Sequence, residues 1–272
     1  MPEVIFFPEK EQQHYYDSHY LFLKNLLSSA GMTIKDYKEE RKERGFIIIY
    51  KNKKILIDYG DHHPIANDWQ DFDIQFRFHY SKKMHGHLSR VFPLTPISFY
   101  DWGQYINFQK EIRYACNTDK ILNNQKPGAA AMERRTRIQE MLKYEYHANF
   151  DTEITDKETF WKKINKCLVL VCVPGARNDI LDRGQFQYMA FGTCTISPPL
   201  DIELPYWREL KAGVHYLSCK PDYSNLIDII EHCRNNRGAC RAIGNWAKEL
   251  FLATSTPKKV WGWINQCIKE LK

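Results

Sequence analysis

Charged side chains and a glycine follow a predicted buried strand in residues 166–200, KCLVLVCVPGARNDILDRGQFQYMAFGTCTISPPL. The apolar run at residues 167–173 predicts a strand that is covered on both faces of a parallel sheet. In open α/β sheets, ligands bind beyond the carboxyl ends of the strands. The residues beyond this strand that could receive a phosphorylated ligand are Gly175, Arg177, Asp182 and Arg183.

Arg183 is the strongest candidate for binding phosphate groups. It stands at the start of a predicted helix, where its guanidinium and the helix amides can bind a diphosphate together. The alternative is a salt bridge from Arg183 to Asp179 or Asp182. Arg177 could clamp the same phosphates or be a solvated loop charge. Gly175 could admit the ligand to the backbone or simply form a turn.

Two further arginines, Arg134 and Arg135, stand at the start of a helix predicted over residues 132–146. Positive charge at a helix N-terminus opposes the helix dipole. A bound anion would resolve that conflict, whereas a surface helix would merely tolerate it. We therefore count Arg135 among the candidate phosphate-binding residues.

A candidate general base lies in the first half of the chain. Residues 55–63, ILIDYGDHH, place acidic and imidazole groups at the carboxyl end of a predicted strand. We favour Asp61 as the group that would deprotonate a hydroxyl. The next candidates are His62 or His63, followed by Asp73 or Asp101. The alternative is that Asp58 and Asp61 belong to a turn and cap backbone amides.

Motifs of several other enzyme classes are missing from the sequence. The histidines suggest a zinc or iron site, but there is no cysteine pair and no HExxH helix, so no metal is expected. The sequence also lacks GxxxxGK(S/T) and GxSxG. This argues against P-loop enzymes and hydrolases with a nucleophile elbow. The histidines considered are His62, His63, His85 and His87.

Composition and charge are those of an ordinary globular protein. Of the 272 residues, 43% are hydrophobic and 26% are charged, and the formal net charge is +6. Basic residues are mixed with acidic ones, as in KEERKER at residues 38–44, which indicates a solvated surface rather than a nucleic-acid groove. A mildly basic protein also suits small anionic substrates such as nucleotides.

The cysteines and the N-terminal sequence indicate a cellular compartment. The 8 cysteines form no CxxC pair, and several lie inside apolar strand patterns, which indicates free thiols in a reducing environment. Residues 1–16 lack the pattern of a signal peptide, and no apolar run reaches the ~18 residues of a membrane-spanning helix. We expect a cytoplasmic protein without a membrane span.

The elements that must position these residues indicate an α/β protein. In the second half, strand and helix patterns alternate, which is typical of a doubly wound parallel sheet. The first half combines a strand and helix with a β-hairpin over residues 45–59. Residues 72–80, FDIQFRFHY, alternate apolar and polar types, which predicts a strand with one exposed face.

The simplest assembly of these elements is two Rossmann-like domains that face a cleft. Residues 1–120 would form the first domain and residues 121–255 the second. A helix within residues 256–272 would pack back on the first domain.

Residues 155–217 resemble the nucleotide-sugar half of GT-B-type glycosyltransferases, of the exostosin-like and protein O-glucosyl- and xylosyltransferase kind. The matching pieces are TFW at 159–161, CLVLVCVPG at 167–175, Asp182-Arg183 and FGTCTI at 191–196. His215-Tyr216, followed by DYSNL at 222–226, is similar to a segment of the capsule-associated members. One departure is Gln185, where many relatives carry a glutamate. An amide there can still hydrogen-bond a ribose hydroxyl.

The resemblance implies an enzyme that moves a sugar, with xylose as one candidate, from a UDP-sugar to a hydroxyl of a glycan or glycoprotein. It implies inversion at the sugar and no metal. His215, Tyr216 and Gln185 would bind the donor. The chain also looks like the compact soluble glycosyltransferases of large algal DNA viruses. The alternatives are a non-catalytic nucleotide- or RNA-binding α/β module and a degenerate transferase scaffold, which Gln185 leaves open.

Overall fold

The structure is a computed structural model, and it describes residues 3–7, 17–36, 45–60, 64–65, 68–95, 102–111, 113–128, 131–153, 156–175 and 177–271. The chain divides into two compact units. The first unit comprises Met1–Trp102, Asp201–Glu209 and Ala253–Lys272, and the second comprises Gly103–Leu200 and Leu210–Leu252. These units overlap with the segments expected from the sequence but do not coincide with them.

The described residues form strands and helices that are numbered here in chain order. The strands are β1 (Glu3–Phe7), β2 (Thr33–Asp36), β3 (Phe46–Tyr50), β4 (Lys53–Asp58), β5 (Ile74–Arg77), β6 (Val91–Pro93), β7 (Ile121–Leu122), β8 (Phe150–Asp151), β9 (Val169–Val171), β10 (Thr195–Ser197), β11 (Glu203–Leu204), β12 (Arg208–Glu209) and β13 (Leu217–Ser218). The helices are α1 (Asp17–Ser29), α2 (Lys82–His85), α3 (Trp102–Glu111), α4 (Met132–Tyr146), α5 (Lys157–Lys166), α6 (Arg183–Phe191), α7 (Leu226–Asn235), α8 (Arg237–Thr254) and α9 (Pro257–Glu270). None of these helices is both long enough and apolar enough to span a lipid bilayer.

The first unit contains a mixed sheet of six strands. Its strand order in the described residues is β2-β1-β3-β4-β5-β6. Strand β3 runs antiparallel to both of its neighbours, and the other neighbouring strands are parallel. The predicted hairpin is confirmed as β3 and β4. Its turn residues Lys51 and Asn52 have φ of 51° and 58°, the left-handed values that two-residue hairpin turns require.

The prediction of an exposed face on β5 is wrong. Gln75, Arg77 and His79 are only 1%, 1% and 2% exposed. Strand β5 lies between β4 and β6, so both of its edges are paired. The polar side chains are buried because they find partners inside the unit. Alternating polarity therefore indicates which residues share a face of the strand, but it does not show that the polar face is exposed to solvent.

The C-terminal helix α9 belongs to the first unit, where it packs against α1. Its apolar face is fully buried and includes Val260, Trp263 and Ile264. The indole Nε1 of Trp263 donates a hydrogen bond to the carbonyl oxygen of Pro93 at 2.8 Å, which joins α9 to the end of β6.

The second unit contains the predicted parallel sheet. Its strand order in the described residues is β13-β10-β9-β7-β8, and every neighbouring pair is parallel. Counted along the chain, this is the order 2-1-3-4-5 of a doubly wound sheet. The apolar run at residues 167–173 is buried throughout, as its composition predicts.

Local side-chain and glycine signals fix the ends of two helices in the second unit. Asp156 caps α5 by accepting from the Thr159 amide at 2.9 Å, and Asp182 caps α6 by accepting from the Gly184 amide at 2.8 Å. Gly192 ends α6 in the left-handed region, with φ of 75°. These signals fix where α6 begins, at the carboxyl edge of the sheet.

Gly244 allows α8 to approach the end of α6 closely. A Cβ atom at Gly244 would overlap the carbonyl oxygen of Gly192 and lie 2.8 Å from its carbonyl carbon. Backbone atoms at this position cannot move aside cheaply, so α8 can pack here only without a side chain.

The Gly244→Ala variant is expected to lose about 1–3 kcal/mol of unfolding free energy, because overpacking forces the backbone apart. Gly238→Ala is the matched control on the same helix. A Cβ at Gly238 meets no atom within 4 Å, and the substitution is expected to stabilise by about 0.4–1 kcal/mol. Urea unfolding measures both values. Equal effects of the two substitutions would contradict this packing.

Candidate functional site

A cavity of about 400 Å³ opens at the carboxyl edge of the parallel sheet in the second unit. Its described lining residues come from the loops that follow β9, β10 and β13, and from the start of α4. They are Arg134, Arg177, Asn178, Asp179, Pro198, Pro199 and Pro221. This is the edge at which doubly wound sheets bind their ligands.

Two guanidinium groups and one carboxylate line the cavity. Arg177 donates from Nε and Nη2 to the two carboxylate oxygens of Asp179, at 2.9 and 2.7 Å. Arg134 Nη2 donates to the carbonyl oxygens of Pro174 and Gly175, both at 2.6 Å. The charged lining groups therefore carry one net positive charge, which favours an anionic ligand.

Unpaired polar atoms accompany these charges. The Nε atom of Arg134 is buried without a hydrogen-bond partner among the described residues, and so is Oδ1 of Asn178. The Nδ2 atom of Asn178 donates to the carbonyl oxygen of Pro221 at 3.0 Å and ties two of the lining loops together. The cavity wall thus combines proline rings with a small number of polar side chains, as ligand sites usually do.

Gly175 leaves open space beside its backbone. A Cβ at this position would meet no atom within 4 Å, and its φ lies outside the left-handed region. Packing of the described residues therefore does not require glycine here. This is compatible with the expectation that Gly175 admits a ligand to the backbone.

The switch point between β7 and β9 is filled by the chain's own side chains. Asn123 Nδ2 donates to the carbonyl oxygen of Val171 at 3.1 Å, and the Val173 amide donates to Oε1 of Gln125. These bonds join the two loops directly. The cavity therefore lies beside the switch point, on the side of β10 and β13.

Arg135 holds three segments together. Its Nε donates to the carbonyl oxygen of Val173 at 3.0 Å, and its Nη1 donates to that of Lys126 at 3.0 Å. Its Nη2 donates to the Asp182 carboxylate at 3.1 Å. The conflict of Arg134 and Arg135 with the α4 dipole is thus compensated by carbonyl and carboxylate oxygens of this chain. Arg135 is placed behind the lining, not on it.

Arg183 and Gln185 lie on α6, outside the described cavity lining. Arg183 is the first residue of the helix and is partly exposed. Gln185 is fully buried, and its Nε2 donates to the hydroxyls of Ser197 at 3.0 Å and Thr195 at 3.3 Å. The Gln185 amide thus supports β10 from beneath, away from the cavity.

His215 and Tyr216 organise the neighbouring loops. His215 Nδ1 accepts from the Lys211 amide at 2.9 Å. The Tyr216 hydroxyl accepts from the Leu200 amide at 3.1 Å and so holds the loop that carries Pro198 and Pro199. Burial raises the pKa of Tyr216 above its ordinary value, so the phenol stays protonated at neutral pH.

The predicted base residues Asp61, His62, His63 and Asp101 lie outside the described residues. Asp58, the last residue of β4, is described, and its carboxylate is fully engaged. Its Oδ2 accepts from Arg77 Nη1 at 2.7 Å and from Gln75 Nε2 at 3.0 Å, and its Oδ1 accepts from the Gly60 amide at 2.9 Å. Asp58 and Arg77 end neighbouring parallel strands and form a buried ion pair.

Asp73 lies at the opposite end of these strands. Its carboxylate accepts from the Lys54 amide at 2.7 Å and from Lys53 Nζ at 3.1 Å. The backbone hydrogen bond lowers the pKa of Asp73 below its ordinary value. Asp73 thus stands at the amino edge of the sheet, away from the edge where ligands are expected.

The described cavity lining contains no histidine or cysteine side chain. His85 is buried and accepts from the Ser81 amide through Nδ1 at 3.0 Å. Among the described residues, no group of three or more histidine, cysteine or acidic side chains could hold a metal ion. All 8 cysteines are free and buried. Burial raises the pKa of the Cys219 thiol to about 12, so this group is a poor nucleophile at neutral pH.

Sequence reasoning missed most of the cavity wall. Asn178, Pro198, Pro199 and Pro221 were not singled out, although each closely follows a strand of the parallel sheet. That position was an available signal, because the loops at one edge of a parallel sheet converge. The hydrogen bonds from Arg134 to the loop after β9 had no signal in the sequence.

No family model matches this sequence, and the comparison with curated proteins finds no match either.

Removing the buried carboxylate of Asp58 is expected to destabilise the first unit. Asp58→Asn leaves the Arg77 guanidinium buried without its counter-charge, which typically costs about 3–5 kcal/mol. Asp73→Asn is the control, because its ion pair is about one-third exposed and is worth about 1 kcal/mol or less. Chemical denaturation measures both losses. A small, equal loss in the two variants would contradict the structural role of Asp58.

Proposed function

We propose that the protein is a GT-B-like glycosyltransferase that takes a sugar from a UDP-sugar and transfers it to a hydroxyl of a glycan or glycoprotein. One observation carries the proposal: Arg134 and Arg177 line the same cavity at the carboxyl edge of a doubly wound sheet. Two permanently charged guanidinium donors at this edge suit a diphosphate.

The proposed donor fits the cavity in both charge and shape. The guanidinium groups would bind the diphosphate, and the flat proline faces would pack against the base. As the glycosidic bond breaks, negative charge develops on the leaving diphosphate. The arginines would stabilise that charge without a metal ion, because they are positioned before the reaction begins.

The acceptor side of the proposal rests on the first half of the chain. A base at Asp61, or at His62 or His63, would take the proton of the acceptor hydroxyl. Asp58, held by Arg77 and Gly60, would anchor the strand end from which that segment leaves. The arrangement of two Rossmann-like domains facing a cleft, inversion at the sugar and the choice of xylose belong to the same proposal.

The setting of the enzyme is also part of the proposal. Eight free and buried thiols support a reducing compartment such as the cytoplasm. The proposed partners are the nucleotide sugar and the glycan or glycoprotein acceptor, without nucleic acid.

A non-catalytic nucleotide-binding module is the second candidate. Of the residues predicted as the base, Asp73 lies in the described part of the chain, and its carboxylate is engaged in an ion pair and a backbone hydrogen bond. A protein that only binds the nucleotide would need the cavity but no base. Release of UDP from a UDP-sugar distinguishes the two functions, because only the enzyme forms it.

Thermal shift and calorimetry with UDP, GDP, UDP-glucose, UDP-xylose and UDP-N-acetylglucosamine test donor binding. A ligand at a hundred times its Kd should stabilise the folded state by about 2.7 kcal/mol. The stabilisation by UDP and UDP-sugars should be lost in Arg177→Ala. It should persist in Lys220→Ala, which removes the same charge from an exposed residue next to Pro221.

Arg183→Ala separates this cavity from the site expected at the start of α6. Loss of binding in Arg183→Ala with retention in Arg177→Ala would place the diphosphate at α6 and contradict the proposed site. The absence of any nucleotide-dependent stabilisation in the folded protein would contradict the proposed function itself.

A further inference from the structure

The pairing of Arg177 with Asp179 suggests how the proposed donor site selects its ligand. Both residues line the cavity, and both are accessible, with side chains 51% and 34% exposed. The two hydrogen bonds are bidentate, so the carboxylate faces the edge of the guanidinium that a phosphate would use. This contact lies at the position where the ligand is proposed to bind.

We propose that the Asp179 carboxylate competes with the ligand for Arg177 and stays bound to Arg177 until a diphosphate displaces the carboxylate. This proposal rests on the proposed function. An accessible ion pair of this kind contributes only about 0–1 kcal/mol, so its exchange for another bidentate pair costs little. Arg177 keeps two charge-assisted hydrogen bonds before and after the exchange. Asp179 therefore prevents Arg177 from taking up unrelated positions without blocking the site.

The remaining wall gives the incoming anion a fixed second contact. Arg134 lines the same cavity and is anchored by its bonds to the Pro174 and Gly175 carbonyl oxygens. A ligand with several negative charges can contact Arg134 and Arg177 at once. A monoanion can contact only one of the two arginines, and the Asp179 carboxylate repels it. An uncharged nucleoside contacts neither guanidinium through a charge and does not displace Asp179. The site therefore favours nucleoside diphosphates over nucleosides and small monoanions.

Calorimetry with inorganic pyrophosphate and UDP, at fixed salt, tests the competitor directly. Asp179→Asn should bind both probes about 2–5-fold more tightly than the wild type, because the competing ion pair of about 0–1 kcal/mol is gone. Uridine, which carries no phosphate, should bind the variant and the wild type equally. Asp179→Ala gives the same comparison if the asparagine still pairs with Arg177.

Asp222→Asn is the matched control for net charge. Asp222 lies beside Pro221, and its carboxylate accepts from the Ser224 amide rather than from Arg177. Its removal should change the affinity less than 2-fold. In an Arg177→Ala background, the gain from Asp179→Asn should disappear, because a competitor for Arg177 has no effect without Arg177.

The outcomes separate the two proposals. If the wild type binds UDP and Asp179→Asn binds it no more tightly than Asp222→Asn, the competitor is overturned and the proposed function stands. If Asp179→Asn still increases the affinity in the Arg177→Ala background, the competitor is also overturned, because the increase then comes from the change in net charge and not from Arg177. If neither the wild type nor any variant binds pyrophosphate or UDP, both proposals fail.

Discussion

The carbonyl oxygens that follow β9 must find hydrogen-bond donors, and the arginines of α4 supply them. In a parallel sheet, the last carbonyls of a strand have no partner in the ladder, and backbone groups left unpaired inside a protein are costly. A helix that follows one parallel strand begins at the same edge of the sheet. The start of α4 therefore lies close to the end of β9, where Arg134 and Arg135 bond the carbonyls of residues 173–175. The same contacts that complete the backbone bonding place a guanidinium in the cavity wall.

The first unit solves a related problem with a buried ion pair. Asp58 and Arg77 end neighbouring parallel strands, and each is almost completely removed from water. Burial lowers the pKa of Arg77, while the charge of Asp58 opposes that shift and keeps the guanidinium charged. Gln75 and the Gly60 amide also donate hydrogen bonds to the Asp58 carboxylate, so the position of the ion pair is fixed. In each unit, an arginine thus fixes the carboxyl edge of the sheet, and the loops that leave this edge begin from defined positions.

The sequence predicts the order of elements well and the use of individual side chains poorly. The apolar run at residues 167–173 predicts a strand, Asp182 predicts the start of a helix, and Gly192 predicts its end. Each of these signals acts on the backbone next to it in the sequence. The polar residues of β5 were misjudged, since burial depends on partners from another strand. Arg177 and Arg183 have the same chemistry and lie close together in the sequence. Only the path of the loop decides which of them lines the cavity, and that path depends on contacts distant in the sequence.

A crystal structure with UDP would show which guanidinium groups the diphosphate contacts. We expect the diphosphate within hydrogen-bond distance of Arg177, with the uracil ring against the prolines of the cavity wall. We also expect that the carboxylate of Asp179 has left Arg177. A diphosphate bound at Arg183, or bound in the first unit with Arg177 still paired to Asp179, would show that this cavity is not the donor site.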